Sequence, residues 1–285
     1  MTNKQENAKR LAIYLLIVAA SSVLPFFCMK WMQASETAFF LAAEVFCATP
    51  ALASLITRAV TKEGFRDMKL HLHLKGNIRY YVLAFALSLL CTALMNLPAI
   101  FLSGHIDWLG GFTLTNVLTS ILMLAAQGAV MSVGLVGEEL GWRGYMNQKL
   151  EPLVGIIGTV LIGGVVWSLW HMPSDLQGYL AGAESFSEAM QMVGGRVLWM
   201  PGYAAFYLWL TKKTDSVWPA VLAHAMGNAS QSSIMGLLSQ GDLPEQADLG
   251  SGVLQFVPTI LMAVVFTALL LRDQRKCRRS TKSLR

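Results

Sequence analysis

A chain of 285 residues with 54% hydrophobic content, 14% charged residues and a mean hydropathy of +0.50 has too little polar surface for a soluble domain of its size. Its net charge of +5 does not point to nucleic acid, because the basic residues fall in short clusters between apolar stretches rather than along one face. Cys28, Cys47, Cys91 and Cys277 lack metal-ligand spacing; the first three read as packing residues and Cys277 as a solvated thiol.

A hydrocarbon core of about 30 Å needs roughly 20 apolar residues in a helix. About eight such runs follow one another, at residues 11–28, 38–57, 80–102, 113–136 running on into the next helical turns, 155–170, 197–210, 217–238 and 253–271. Lys4, Lys9 and Arg10 precede the first, which reads as an uncleaved anchor because no small-residue cleavage site follows it. Basic clusters follow the second run (Arg58 to Arg79), the fourth (Arg143, Lys149), the sixth (Lys212, Lys213) and the eighth. With eight alternating helices they share one side, whereas the opposite loops carry Asp107, Asp175, Glu184, Glu188, Asp242, Glu245 and Asp248. The positive-inside rule then places both termini in the cytoplasm, across the plasma membrane. The expected fold is all-α, a polytopic membrane helical bundle of about eight transmembrane helices. With no linker, low-complexity tract or repeat, residues 1–285 form a single integral membrane domain. Glycines 134, 137, 141 and 144, and again 155, 158, 163 and 164, predict close helix approach around the fourth and fifth spans.

Ionisable groups inside hydrocarbon cost at least a few kcal/mol each, so those that occur there call for an explanation. Glu138 and Glu139 close the fourth run and cannot face one point at about 100° per residue, whereas Glu139 and Arg143 stand one turn apart. One carboxylate can therefore meet the arginine while the other points into a cavity as a general base or metal ligand; the plain alternative is an interfacial ion pair. His171 lies one turn past Trp167, and Pro173 is expected to end or kink that helix, which aims the imidazole at a cavity or makes it an interfacial anchor. His224 and Asn228 are spaced i and i+4 inside an apolar helix, where both need partners. They suit an oxyanion hole, or His224 a metal, or both serve as interhelical packing bonds. Glu44 in the second run reads as structural, and His71, His73 and His105 as solvated loop residues.

In chain order, Glu138-Glu139-x-x-x-Arg143, His171 and His224-x-x-x-Asn228 resemble the three-motif signature of the CAAX protease and bacteriocin-processing family of intramembrane proteases, to which the Ras-converting CAAX endopeptidase belongs. The match covers roughly residues 115–235, the expected catalytic core. The resemblance implies that Glu138 with His171 activates a water, that His224 with Asn228 binds the oxyanion, and that Glu139 and Arg143 support them. It also implies membrane lipid and a peptide or membrane-protein substrate as partners. Trp167 stands where phenylalanine is common, a change expected to keep an aromatic wall and leave the chemistry unaffected. There is no His-Glu-x-x-His arrangement, so a glutamate mechanism is favoured; were zinc present, Glu138, His171 and His224 would be its ligands. A non-catalytic bacteriocin immunity or scaffold protein, and behind it an ion-coupled transporter, are the competing readings. One tension accompanies the motif order. Simple alternation puts Glu138 and His224 in the cytoplasmic half but His171 near the far end of a fifth helix starting at Gly155, so that helix must start later, tilt or break, or the span edges must move by a turn or two.

Overall fold

The computed structural model describes residues 3–24, 35–102, 114–238 and 254–283. Cys28, His105, Asp107, Asp242, Glu245 and Asp248 lie outside them. Among the described residues there are helices and no strands: α1 (Asn3–Ser22), α2 (Glu36–Val60), α3 (Ile78–Leu102), α4 (Leu114–Gly141), a π-helical turn (Trp142–Met146), α5 (Asn147–Asp175), a short α6 (Gln177–Leu180), α7 (Phe186–Thr214), α8 (Trp218–Leu238) and α9 (Val257–Ser283). The chain is an all-α membrane helical bundle. Side chains such as Leu122, Val133, Val264 and Leu16 stay exposed on its outside, where acyl chains rather than water solvate them.

Four stretches are long and apolar enough to cross a bilayer: Leu41–Val60, Ile78–Asn96, Leu118–Leu180 and Val257–Ser280. The third is 63 residues long and contains a chain reversal. Gly155 adopts φ 72°, a left-handed conformation that glycine reaches without steric cost, and it breaks α5 near its start. On either side the chain doubles back: Gly163 faces Asn147 and Met146, and the Arg143 guanidinium lies 4.1 Å over the Trp167 ring. α4 continues beyond residue 136, as its run was expected to. It runs on through the π turn and the first turns of α5, so Glu138 lies well inside the hairpin rather than at its tip. The tension between Glu138 and His171 disappears, because both stand a similar distance back from Gly155. α7 and α8, expected as the sixth and seventh spans, are not among the four apolar stretches. Arg196, His224, Asn228 and Gln231, which these two helices turn towards the interior, lower their apolar content.

α2 packs on α4, α3 and α4 on α8, α5 on α7, and α7 on α9, with α1 against α2 and α5. The glycine stripe of α4 carries the first of these contacts. A side chain at Gly137 would strike the Cys47 carbonyl, and one at Gly141 the backbone of Pro50, so the two helices touch through their main chains. Gly155 does not serve close approach; nothing lies within 4 Å of where its Cβ would be. The aromatic core of Tyr14, Trp142, Tyr145, Trp167, Phe206 and Tyr207 joins α1, α5 and α7.

The basic end of the bundle is tied by ion pairs. Glu63, in the loop after α2, accepts from Lys149 and from Tyr145 at 3.1 Å, and Arg10 stands 3.6 Å away. Arg58, wholly buried at the end of α2, donates to Asp67. Partial burial opposes ionisation of Asp67, and the Arg58 guanidinium, with Lys149 beside it, overcomes this and holds the carboxyl below its usual range. The sign follows: Asp67 stabilises the fold fully above the unfolded value of about 3.9, and loses that contribution as pH falls through its lower native value. Thermal unfolding of Asp67→Asn against the parent should show a Tm deficit at pH 7 that closes progressively in acid. A deficit independent of pH would mean that the ion pair contributes nothing.

Candidate active site

One cavity of about 480 Å³ opens inside the bundle, and six helices build its wall. Glu138 comes from α4, His171 from α5, and His224 with Asn228 from α8. α2 contributes Phe46 and Cys47, and α3 contributes Asn96. This volume suits a few residues of a peptide.

The two carboxylates divide as their helical angle requires. Glu138, 2% exposed, faces the cavity and accepts a hydrogen bond at 2.8 Å from the Trp167 indole N–H. Glu139 is fully buried behind the wall, where its Oε1 accepts from Arg143 at 3.2 Å and stands 3.0 Å from His224 Nδ1. Arg143 in turn lies over the Trp167 and Tyr207 rings at 4.1 and 4.9 Å. A buried guanidinium is thus compensated by one carboxylate and two π faces. The π turn begins directly after Gly141, and its wider coil at Arg143 marks the place where the motif leaves regular helix, a frequent property of functional helices.

The histidines are oriented by the bonds they make with one ring nitrogen. His171 Nδ1 is 2.9 Å from the Trp167 carbonyl, which can only accept, so Nδ1 carries the proton and Nε2 presents a lone pair. His224 Nδ1 is matched in the same way to the Glu139 carboxylate, leaving Nε2 for the cavity side. Both rings touch the Trp167 indole, with centroids 6.2 and 5.2 Å away, so Glu138, His171 and His224 meet around one tryptophan. Asn228 lies one turn beyond His224 and is exposed within the cavity wall.

Several expectations change. Trp167 is more than an aromatic wall: its N–H holds Glu138, a bond phenylalanine cannot make. The Arg143 guanidinium stands behind the cavity wall, against Glu139 and the Trp167 and Tyr207 rings. α5 continues through Pro173 to Asp175 rather than stopping after His171. Asp175 is not a solvated loop acid but is 4% exposed, receiving a bidentate pair from Arg196 at 2.8 and 2.6 Å. Cys47 lines the cavity instead of only packing, and Glu44 lies against Gly134 of α4. His73 Nδ1 is 3.0 Å from the Thr214 carbonyl and pins its loop to α7. Sequence reading missed Asn96, which donates to Gln231 at 3.0 Å across the cavity wall, and Arg196. The available signal for Arg196 was a cation immediately before the sixth apolar run, within helical reach of the interior.

Among the described residues no three His, Cys, Asp or Glu side chains are grouped to hold an ion. One oxygen of Glu138 is held by Trp167, and Glu139 takes His224 Nδ1.

Residues 119–230 match the family model for type II CAAX prenyl endopeptidases, Rce1-like. That segment, about two fifths of the chain, is what the similarity to the Rce1-like family rests on. All six motif residues, from Glu138 to Asn228, fall inside the Rce1-like segment. Over 85 residues the chain is 29% identical to CAAX prenyl protease 2 of Methanococcus maripaludis, an alignment covering 30% of this chain. It spans 29% of that relative's length.

Proposed function

We propose that the protein is an intramembrane endopeptidase that hydrolyses a peptide bond in a membrane-associated peptide of CAAX or bacteriocin-like type. One observation carries the reading: a buried carboxylate, an imidazole lone pair and a His–Asn pair open on one interior cavity, within the Rce1-like segment. In this reading residues 115–235 form the catalytic core, and the protein sits in the plasma membrane with both termini cytoplasmic.

The chemistry follows from the donors and acceptors. Glu138 and Nε2 of His171 accept hydrogen bonds from a water, and Glu138 takes its proton as the oxygen attacks the carbonyl carbon. Negative charge passes to the carbonyl oxygen, where the Asn228 amide and, in its imidazolium form, His224 Nε2–H donate to it. Glu139 stands behind that ring at 3.0 Å from Nδ1, and Arg143 donates to the same carboxylate oxygen. Collapse of the tetrahedral intermediate breaks the C–N bond, and the proton held by Glu138 goes to the departing amine. Trp167 fixes the carboxylate against rotation throughout.

Trp167→Phe isolates that last element, because the ring stays and only the N–H is lost. Cleavage should slow by about tenfold, the order of one charge-assisted hydrogen bond, with KM little changed. An unchanged kcat would show that the indole bond has no part in positioning Glu138. The proposal as a whole is tested by reconstituting the purified protein in liposomes with a farnesylated CAAX peptide and, separately, a non-prenylated transmembrane peptide. Mass spectrometry should find a new peptide terminus in at least one. Intact peptide in both, from protein whose fold is verified by thermal unfolding, would remove the proteolytic reading.

A further inference from the structure

The peptide cavity holds two amide side chains that the hydrolytic chemistry does not use, Asn96 of α3 and Gln231 of α8. Their hydrogen bonds fix which end of each amide is which. The Thr92 carbonyl can only accept, so the Asn96 atom 2.8 Å from it is the nitrogen Nδ2. The other hydrogen of Nδ2 goes to Gln231, 3.0 Å away, so the Gln231 atom that meets it is the oxygen Oε1. Asn96 Oδ1 and Gln231 Nε2 are left over. Neither has a partner among the described residues, and neither is sealed in the wall. Two further polar side chains of the cavity are already committed: Arg196 donates to Asp175 at 2.8 and 2.6 Å, and the Tyr203 hydroxyl donates to Met95 Sδ at 3.3 Å.

The open atoms are one acceptor and one donor, on side chains already joined to each other. In an extended peptide the N–H and C=O of one residue point to the same side, as in the hydrogen-bonded pair of an antiparallel ladder. A joined acceptor and donor complement such a residue in the way a facing strand does. The position along α8 suits the reaction. His224, Asn228 and Gln231 are spaced i, i+4 and i+7, which is one helix face. Three residues of helix rise about 4.5 Å and one residue of extended chain covers about 3.3 Å, so Gln231 stands about one to two substrate residues from a carbonyl held at Asn228.

We propose that Asn96 and Gln231 form a backbone-reading subsite of the cavity: Asn96 Oδ1 accepts from the N–H, and Gln231 Nε2 donates to the C=O, of one substrate residue held extended close to the scissile bond. Both bonds go to main chain, so the subsite sets the register of the peptide and leaves the side chain at that residue open. Proline is disfavoured there, because it has no N–H to give. The inference rests on the reading of this cavity as a peptide site.

The experiment measures binding and cleavage separately, by fluorescence anisotropy in a non-ionic detergent and by mass spectrometry. Its probes are the farnesylated CAAX peptide and the non-prenylated transmembrane peptide, each labelled and each also made with one backbone N–H at a time replaced by an ester oxygen. In the parent, one ester position should weaken binding about fivefold to tenfold, the order of one hydrogen bond, and its neighbours should not. In Asn96→Leu the unmodified peptide should bind more weakly by a similar factor, and that ester position should have no further effect, because its acceptor is gone. Gln231→Glu, on an exposed side chain, keeps an oxygen for Asn96 to donate to and removes the Nε2 donor; it should weaken binding several-fold at unchanged Tm. A flat ester scan in the parent, or the same sensitive position at full size in Asn96→Leu, would overturn the subsite, as would failure of both peptides to bind. Cleavage with a flat scan would remove the subsite and keep the protease, whereas binding with the sensitive position and no cleavage would do the reverse.

Discussion

Glu138→Gln is expected to abolish peptide cleavage, with kcat reduced by about 10²–10⁴, the range that a general base contributes. The amide is nearly isosteric, and its oxygen can still accept from the Trp167 indole that holds the native carboxylate at 2.8 Å. What is lost is the capacity to take a proton from water at neutral pH, so the effect should fall on kcat with KM little altered. The side chain is 2% exposed and makes its described hydrogen bond within the cavity wall, so the variant should retain the parent Tm. Cleavage of a membrane-embedded peptide and thermal unfolding of the same preparation measure both halves. Full activity in folded Glu138→Gln would transfer the base to another group, and a folded, inactive variant that still protects a host from a bacteriocin would favour the immunity reading.

The second large effect is on stability. Glu139→Ala leaves Arg143, whose side chain is 1% exposed, without its carboxylate, and removes the acceptor of His224 Nδ1. Stranding a buried charge costs about 3–5 kcal/mol, far beyond the change in buried area alone. The variant should unfold at a markedly lower temperature than the parent. Restoring neutrality is the control: Glu139→Gln combined with Arg143→Met removes both charges while keeping an acceptor for His224, and should recover most of the lost Tm without restoring cleavage. If Glu139→Ala unfolds like the parent, solvent reaches this pair and the low-dielectric picture of the motif is wrong.

Composition alone determined the class of molecule, because an apolar chain of this kind can satisfy its backbone in a bilayer only as helices or a closed barrel, and its runs are helix-length. The i, i+4 geometry of Glu139 and Arg143 was likewise legible, since helical periodicity is local and holds wherever the helix goes. The motif order picked out Glu138, His171, His224 and Asn228, which the fold gathers around one cavity. Only the tertiary structure decided how deep those residues lie. The fifth run was read as starting at Gly155, where the reversal lies, but the stretch from Leu118 to Leu180 is apolar on both sides of it, so hydropathy could not tell how far the fourth run continues before that turn. The same holds for contacts between distant segments: the indole bond from Trp167 to Glu138, the Arg196–Asp175 pair, and the placing of Arg143 behind the cavity wall, against the Trp167 and Tyr207 rings. Residue spacing fixes angles along one helix, whereas these partnerships depend on how two helices are rotated and slid against each other, which the α4 glycine stripe and the Gly155 hairpin set only when packed.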